Sequence, residues 1–89
     1  MLTLTEAAGR HLEELLTEAN VPQGTYLRIA LLDEGGSSLT LSREEPGDTR
    51  LEHQGKTVLV LDRRAAEGLA ERTLDAEGPG KEERRLVLR

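Results

Sequence analysis

No cysteine occurs anywhere in the 89 residues. That absence excludes disulfides, thiolate metal ligands and a cysteine nucleophile together. Phenylalanine and tryptophan are also missing, and Tyr26 is the lone aromatic side chain. Bases stack on aromatic rings, so one tyrosine makes a poor platform for nucleic acid. A net charge of −5 argues the same way, because an acidic surface repels phosphate backbones. Long apolar runs are absent too. Stretches such as Val58-Leu59-Val60-Leu61 fall far short of the roughly 20 residues that a membrane-spanning helix requires. The opening Met1-Leu2-Thr3-Leu4-Thr5-Glu6 lacks the basic region and apolar stretch of a signal peptide, so the expectation is a cytoplasmic protein with no membrane partner. Lysine and the side-chain amides are scarce: ten Arg stand against two Lys, with one Asn and two Gln. Thermophilic adaptation and GC-rich coding both produce that bias.

What the chain does have is leucine, 17 of its 32 apolar residues. The core is therefore aliphatic and thin. A chain of this length builds one domain, expected to span residues 1–89. It buries only about 60–65% of the surface its unfolded form exposes. Pairing into a homodimer would bury more.

The apolar pattern divides the chain into short elements. Leu2-Thr3-Leu4 reads as an extended piece. Thr5 is a suitable helix N-cap and Glu6 suits the first turn. Ala8, Leu12, Leu15, Leu16 and Ala19 then recur at helical spacing, with Arg10, Glu13, Glu14 and Thr17 facing outward. Asn20 closes this helix and Pro22 prevents its continuation. From Thr25 the period becomes two: Leu27, Ile29 and Leu31 share one face. Asp33-Glu34-Gly35-Gly36 is a turn. Ser38–Ser42 is expected to be a strand with one apolar face, carrying Leu39 and Leu41, and one wet face. Glu45-Pro46-Gly47-Asp48 fits a type II turn. Arg50–His53 reads as an edge strand, and Gln54-Gly55 leads into Lys56–Leu61, apolar on both faces at its end and therefore central. Asp62 caps a second helix reaching about Glu71, with Ala66, Leu69 and Ala70 inward. Thr73-Leu74-Asp75 is extended, Gly78-Pro79-Gly80 is a loop, and Glu83–Arg89 is a last strand with Leu86 and Leu88 on one face. Tight turns between successive strands favour antiparallel pairing, giving an α+β domain.

This order resembles the A-type iron–sulfur carrier family, the HesB-like domain. The resemblance is carried by Leu2-Thr3-Leu4-Thr5-Glu6-Ala7-Ala8, by Leu27-Arg28-Ile29, and by the turn Gly35-Gly36-Ser37. In the second half it is carried by Val58-Leu59-Val60-Leu61-Asp62, by Leu74-Asp75, and by the stretch from Gly78 to Leu88. It implies a small β-sandwich or mixed sheet of about six or seven short strands with two helices. The family's chemistry rests on three cysteines, one in the turn after the second strand and two in a Cys-Gly-Cys tail. Gly36 occupies the first cysteine position here, and Leu88-Arg89 stand about where the tail would begin. The resemblance therefore supplies no catalytic, cofactor-binding or metal-ligating residue, and no cofactor is expected. Ser37 lies one residue away, but a hydroxyl is a hard, weak donor to iron.

Other candidate groups have simpler readings. His11 and His53 share no local spacing motif that would make a metal site. Asp33, Glu34, Glu44, Glu45 and Asp48 could attract a hard cation, but they match no EF-hand spacing and read as turn charge. Ser37 and Ser38 lack the nucleophile-elbow context and a nearby histidine. Arg63-Arg64 and Arg84-Arg85 sit among Asp62, Glu67, Glu82 and Glu83 and read as exposed ion pairs.

Together these residues predict a non-enzymatic HesB-like domain without cysteine ligands, acting as a partner-binding accessory among iron–sulfur assembly proteins. The alternative is a binding or regulatory module that reuses the scaffold with no iron–sulfur role.

Overall fold

The structure, a computed structural model, describes residues 1–80 and 83–89. Seven strands and two helices follow in the order β1 (Thr3–Leu4), α1 (Glu6–Ala19), β2 (Thr25–Leu31), β3 (Ser37–Arg43), β4 (Thr49–His53), β5 (Lys56–Leu61), α2 (Arg63–Gly68), β6 (Thr73–Glu77) and β7 (Arg85–Leu88). This is the expected α+β class. Glu82, expected to flank Arg84-Arg85, lies outside the described residues.

Local signals set the helix ends. The Thr5 hydroxyl accepts from Ala8 N–H at 3.1 Å and donates to the Asp75 carboxylate at 2.7 Å. Asn20 adopts a left-handed conformation (φ 51°) and returns its N–H to Thr17 C=O, which ends α1. Asp62 caps α2 by accepting from Ala65 N–H at 2.8 Å. α2 is shorter than expected and stops at Gly68; Ala65 is its fully buried residue, Ala66 and Ala70 are half-buried, and Leu69, just past the helix, is buried as expected.

The strands form two sheets. One has the order β1-β6-β7, the other β3-β2-β5-β4. Central placement of β5 follows the expectation from its apolar run. Pairing is mixed, however, because β2 runs parallel to β5 and β1 parallel to β6. Adjacent hairpin segments do pair antiparallel, as β2 with β3, β4 with β5 and β6 with β7. The parallel contacts join segments far apart in sequence: β3 and β4, on opposite edges of their sheet, lie between β2 and β5, and both helices and four strands lie between β1 and β6.

The core lies between the sheets and the helices. Leu12, Val58, Leu59, Val60, Leu61 and Ala65 are almost fully enclosed, joined by Leu27, Ile29, Leu51, Leu69 and Leu74. Leu15 and Leu16 are only partly buried, packed at the margin, and Ala19 is exposed on the last turn of α1. β3 departs most from expectation. Leu39 and Leu41 are 38% and 48% exposed although they sit beside Ile29 and Leu27, whose side chains are buried.

Candidate functional site

The turn that carries the resemblance joins β2 to β3. Leu32 N–H donates to Gly36 C=O at 3.1 Å, closing the hairpin. Gly35 and Gly36 both hold positive φ, 94° and 84°, a conformation glycine adopts without strain. The turn is exposed, and a Cβ placed on Gly36 would meet nothing within 4 Å. The root of this turn and the last strand share a groove of about 220 Å³, where Ser37, Ser38 and Leu39 face Leu86 and Leu88 over a floor of Ile29 and Leu74. Positions far apart in sequence, the turn and the C-terminal strand, thus converge at one end of the molecule. What they present there is aliphatic carbon, two hydroxyls and a glycine.

Several of the remaining candidate residues are engaged in structural contacts. Asp33 pairs with Arg64 at 2.8 Å and Glu44 with Arg50 at 2.8 Å. Asp48 is the deepest of the turn acids. Its carboxylate faces the Arg28 guanidinium in a bidentate pair and accepts from Glu45 N–H at 2.8 Å. Arg28 also reaches Ser42 Oγ and Arg43 C=O, so one side chain ties β2, β3 and the turn before β4. The hydrogen bonds from Arg28, foremost, hold the Asp48 carboxyl below its ordinary range, and Asp48 in turn raises Arg28. Arg84 reaches Glu14 at 3.6 Å. One arginine of each pair, Arg64 and Arg84, thus finds its partner across the fold, where sequence neighbours were expected, and Asp62 serves as a cap instead.

The two histidines are not brought to a shared ligand. His11 is buried on α1 with Nδ1 lacking a hydrogen-bond partner. His53, at the end of β4, lies across α1. Its Nδ1 is 3.1 Å from Glu13 Oε2 and its Nε2 is 3.2 Å from Glu6 Oε1. Arg10 adds an ion pair to Glu6 at 3.6 Å. Glu13 first, then Glu6, favours the imidazolium and raises the His53 pKa. This carboxylate–imidazole–carboxylate clamp was not read from the sequence. Its one local signal is Gly9 inside a helix, flanked by acids three positions before and four after, which marks a close approach. Among the described residues no group of three or more His, Asp or Glu is arranged to hold a metal ion.

No family model and no curated protein matches the chain. Solved structures do. SufA of Escherichia coli, involved in biosynthesis of iron–sulfur clusters, is 27% identical with a TM-score of 0.77, covering 99% of this chain and 83% of that one. IscA, solved with a [2Fe–2S] cluster, is 23% identical with a TM-score of 0.65, covering 100% and 84%. A protein from Aquifex aeolicus, solved in solution by NMR, is 20% identical with a TM-score of 0.67, covering 99% and 89%. The fold is that of the A-type iron–sulfur carriers, on a chain with no cysteine.

Proposed function

We propose that this protein is a non-enzymatic HesB-like module that works in iron–sulfur assembly by binding protein partners and holds no cluster itself. One observation carries the reading: a fold similar to that of SufA over 99% of the chain, on a sequence with no cysteine; the resemblance puts Gly36 at the carriers' first cysteine position. The donor chemistry at that end supports it. Gly36 has no side chain, the Ser37 and Ser38 hydroxyls are poor ligands for iron, and the groove behind them is walled by leucine.

A module of this kind keeps the surface its partners recognise and loses the cargo site. The test is a calorimetric titration of the purified protein against an A-type carrier from the same organism, loaded with its cluster. The expected result is saturable binding in which all iron and the visible absorbance stay with the carrier. Absence of binding to carrier and scaffold proteins would favour a regulatory module unrelated to iron–sulfur chemistry. Movement of the cluster onto this chain would contradict the reading.

A further inference from the structure

His53 is the last residue of β4, where the chain turns back into β5 through Gln54 and Gly55, both at positive φ. His53 and Lys56 stand opposite each other at the base of this turn. The imidazole leaves the hairpin and lies on α1, with only 10% of its side chain exposed. Its two nitrogens meet different carboxylates, Nδ1 that of Glu13 and Nε2 that of Glu6. An ionised carboxylate accepts hydrogen bonds and donates none. Both contacts are therefore made together only when both ring nitrogens carry a proton. The neutral ring has one N–H and one lone pair, so it holds one carboxylate and repels the other.

The two carboxylates differ in what they can do next. Glu13 lies closer and is the more enclosed, its side chain 33% exposed against 63% for Glu6. Glu6 has a second cation at hand, Arg10, one turn along α1 at 3.6 Å. The other charged groups around the ring come from both elements. Glu14 and Glu18 of α1 line a recess of about 240 Å³ together with Arg10, Glu13 and His53. Glu52 and Lys56 flank the ring on the hairpin.

We infer that His53 is a proton-operated clasp between the β4–β5 hairpin and α1: the imidazolium holds Glu13 and Glu6 together, and the neutral ring keeps Glu13 while Glu6 passes to Arg10. The proton leaves Nε2, because Nδ1–H is held by the nearer and better shielded acceptor. The lone pair that remains faces Glu6, the carboxylate with somewhere else to go. With its proton the ring joins Arg10 in balancing Glu6 and Glu13. Without it the group of four carries one net negative charge, beside Glu14 and Glu18. The two carboxylates make the ring more basic, so the exchange falls above the ordinary histidine value of 6.5. It is a change of partner within the folded state, and it stands independently of any iron–sulfur role.

Nitrogen-15 NMR of the imidazole reads this exchange directly. Protein labelled at the histidine ring nitrogens is titrated from about pH 5.5 to 9, the His53 signals being those that disappear in His53→Gln. Both nitrogens are expected to be protonated at the acid end. As pH rises, Nε2 is expected to deprotonate with a midpoint above 6.5, while Nδ1 keeps its proton. Glu13→Gln should lower the midpoint and reverse the tautomer, leaving the proton on Nε2 toward Glu6. Glu6→Gln should lower the midpoint less and leave the tautomer unchanged. Arg10→Gln should raise the midpoint, because the cation that competes for Glu6 is gone. A ring that served packing alone would show none of these shifts. Glu→Gln preserves shape and Arg10 is exposed, so the variants keep the fold, which native-like backbone amide spectra would show. Proton loss from Nδ1 in the native protein, or from the two nitrogens equally, would overturn the inference. So would a midpoint at or below 6.5, a midpoint unmoved by Glu13→Gln, or one unmoved by Arg10→Gln, which would mean that Glu6 is not shared.

Discussion

Gly9 and His53 occupy the same space by mutual concession: a Cβ on Gly9 would come within 2.7 Å of His53 Cγ and closer still to Cδ2. The bare backbone of α1 lets the imidazole lie flat on the helix, between Glu6 and Glu13. Two effects compete in Gly9→Ala. Alanine is favoured in a helix by about 1 kcal/mol, and forcing a ring off its seat costs about 1–3 kcal/mol. The clash involves two ring atoms and the Cβ of a mostly buried side chain, so Gly9→Ala is expected to lower the urea midpoint. In a His53→Ala background the same change should raise it. A Gly9→Ala effect of equal size in both backgrounds would show that the two residues do not interact.

The same clamp sets a pH dependence. Glu13 and Glu6 raise the His53 pKa above its ordinary 6.5. Protons are thus bound more tightly in the folded state, so the stabilisation is full below 6.5 and is lost as pH rises through the raised value. Denaturation midpoints of the native protein and His53→Gln, measured from about pH 5.5 to 9, should differ most at the acid end and converge at the alkaline end. A difference that grows with pH would contradict the arrangement.

Asp48 acts in the opposite sense. Arg28 lowers its pKa, so its contribution is present above the unfolded carboxylate value and is lost as pH falls through the depressed one. Its side chain is 3% exposed and that of Arg28 12%. Removing one member of such a pair leaves a buried charge unmatched, at a cost of about 3 kcal/mol. Asp48→Asn is expected to lose about that much at pH 7, measured by chemical denaturation, and to flatten the acid limb of the stability profile. A loss below about 1 kcal/mol would place the pair among ordinary surface contacts.

Much of this fold is legible along the chain because its determinants are local. Thr5, Asp62 and Asn20 act through residues three positions away. Pro46-Gly47 forms a turn closed by Asp48 N–H on Glu45 C=O, with Gly47 at φ 89°. Long-range consequences are not legible in the same way. The parallel pairing of β2 with β5 brings Leu27 against Leu59 across 32 positions, and no hairpin signal reports it. The exposure of Leu39 and Leu41 depends on where the opposing sheet ends, which their alternation does not encode. His53 meets Glu13 from 40 positions away. At the candidate site, the order of motifs located the Gly36 turn, whereas its convergence with Leu86 and Leu88 emerged only in three dimensions.

Gly36→Cys probes that turn. Space is open around it, but a side chain at φ 84° is strained, costing about 1–2 kcal/mol. The variant is expected to fold with a modestly lowered midpoint and to offer a thiol that reacts with a soluble disulfide reagent at the rate of an exposed cysteine. A thiol protected in the native state would mean that this turn does not correspond to the exposed turn seen here.

The claim that this carrier-like scaffold holds no cluster is tested most directly by anaerobic reconstitution of the unmodified protein with iron and sulfide, followed by desalting and by iron analysis and visible absorption spectroscopy. The expected product is colourless and free of bound iron. A stable visible absorption band retained with stoichiometric iron and sulfide would contradict it.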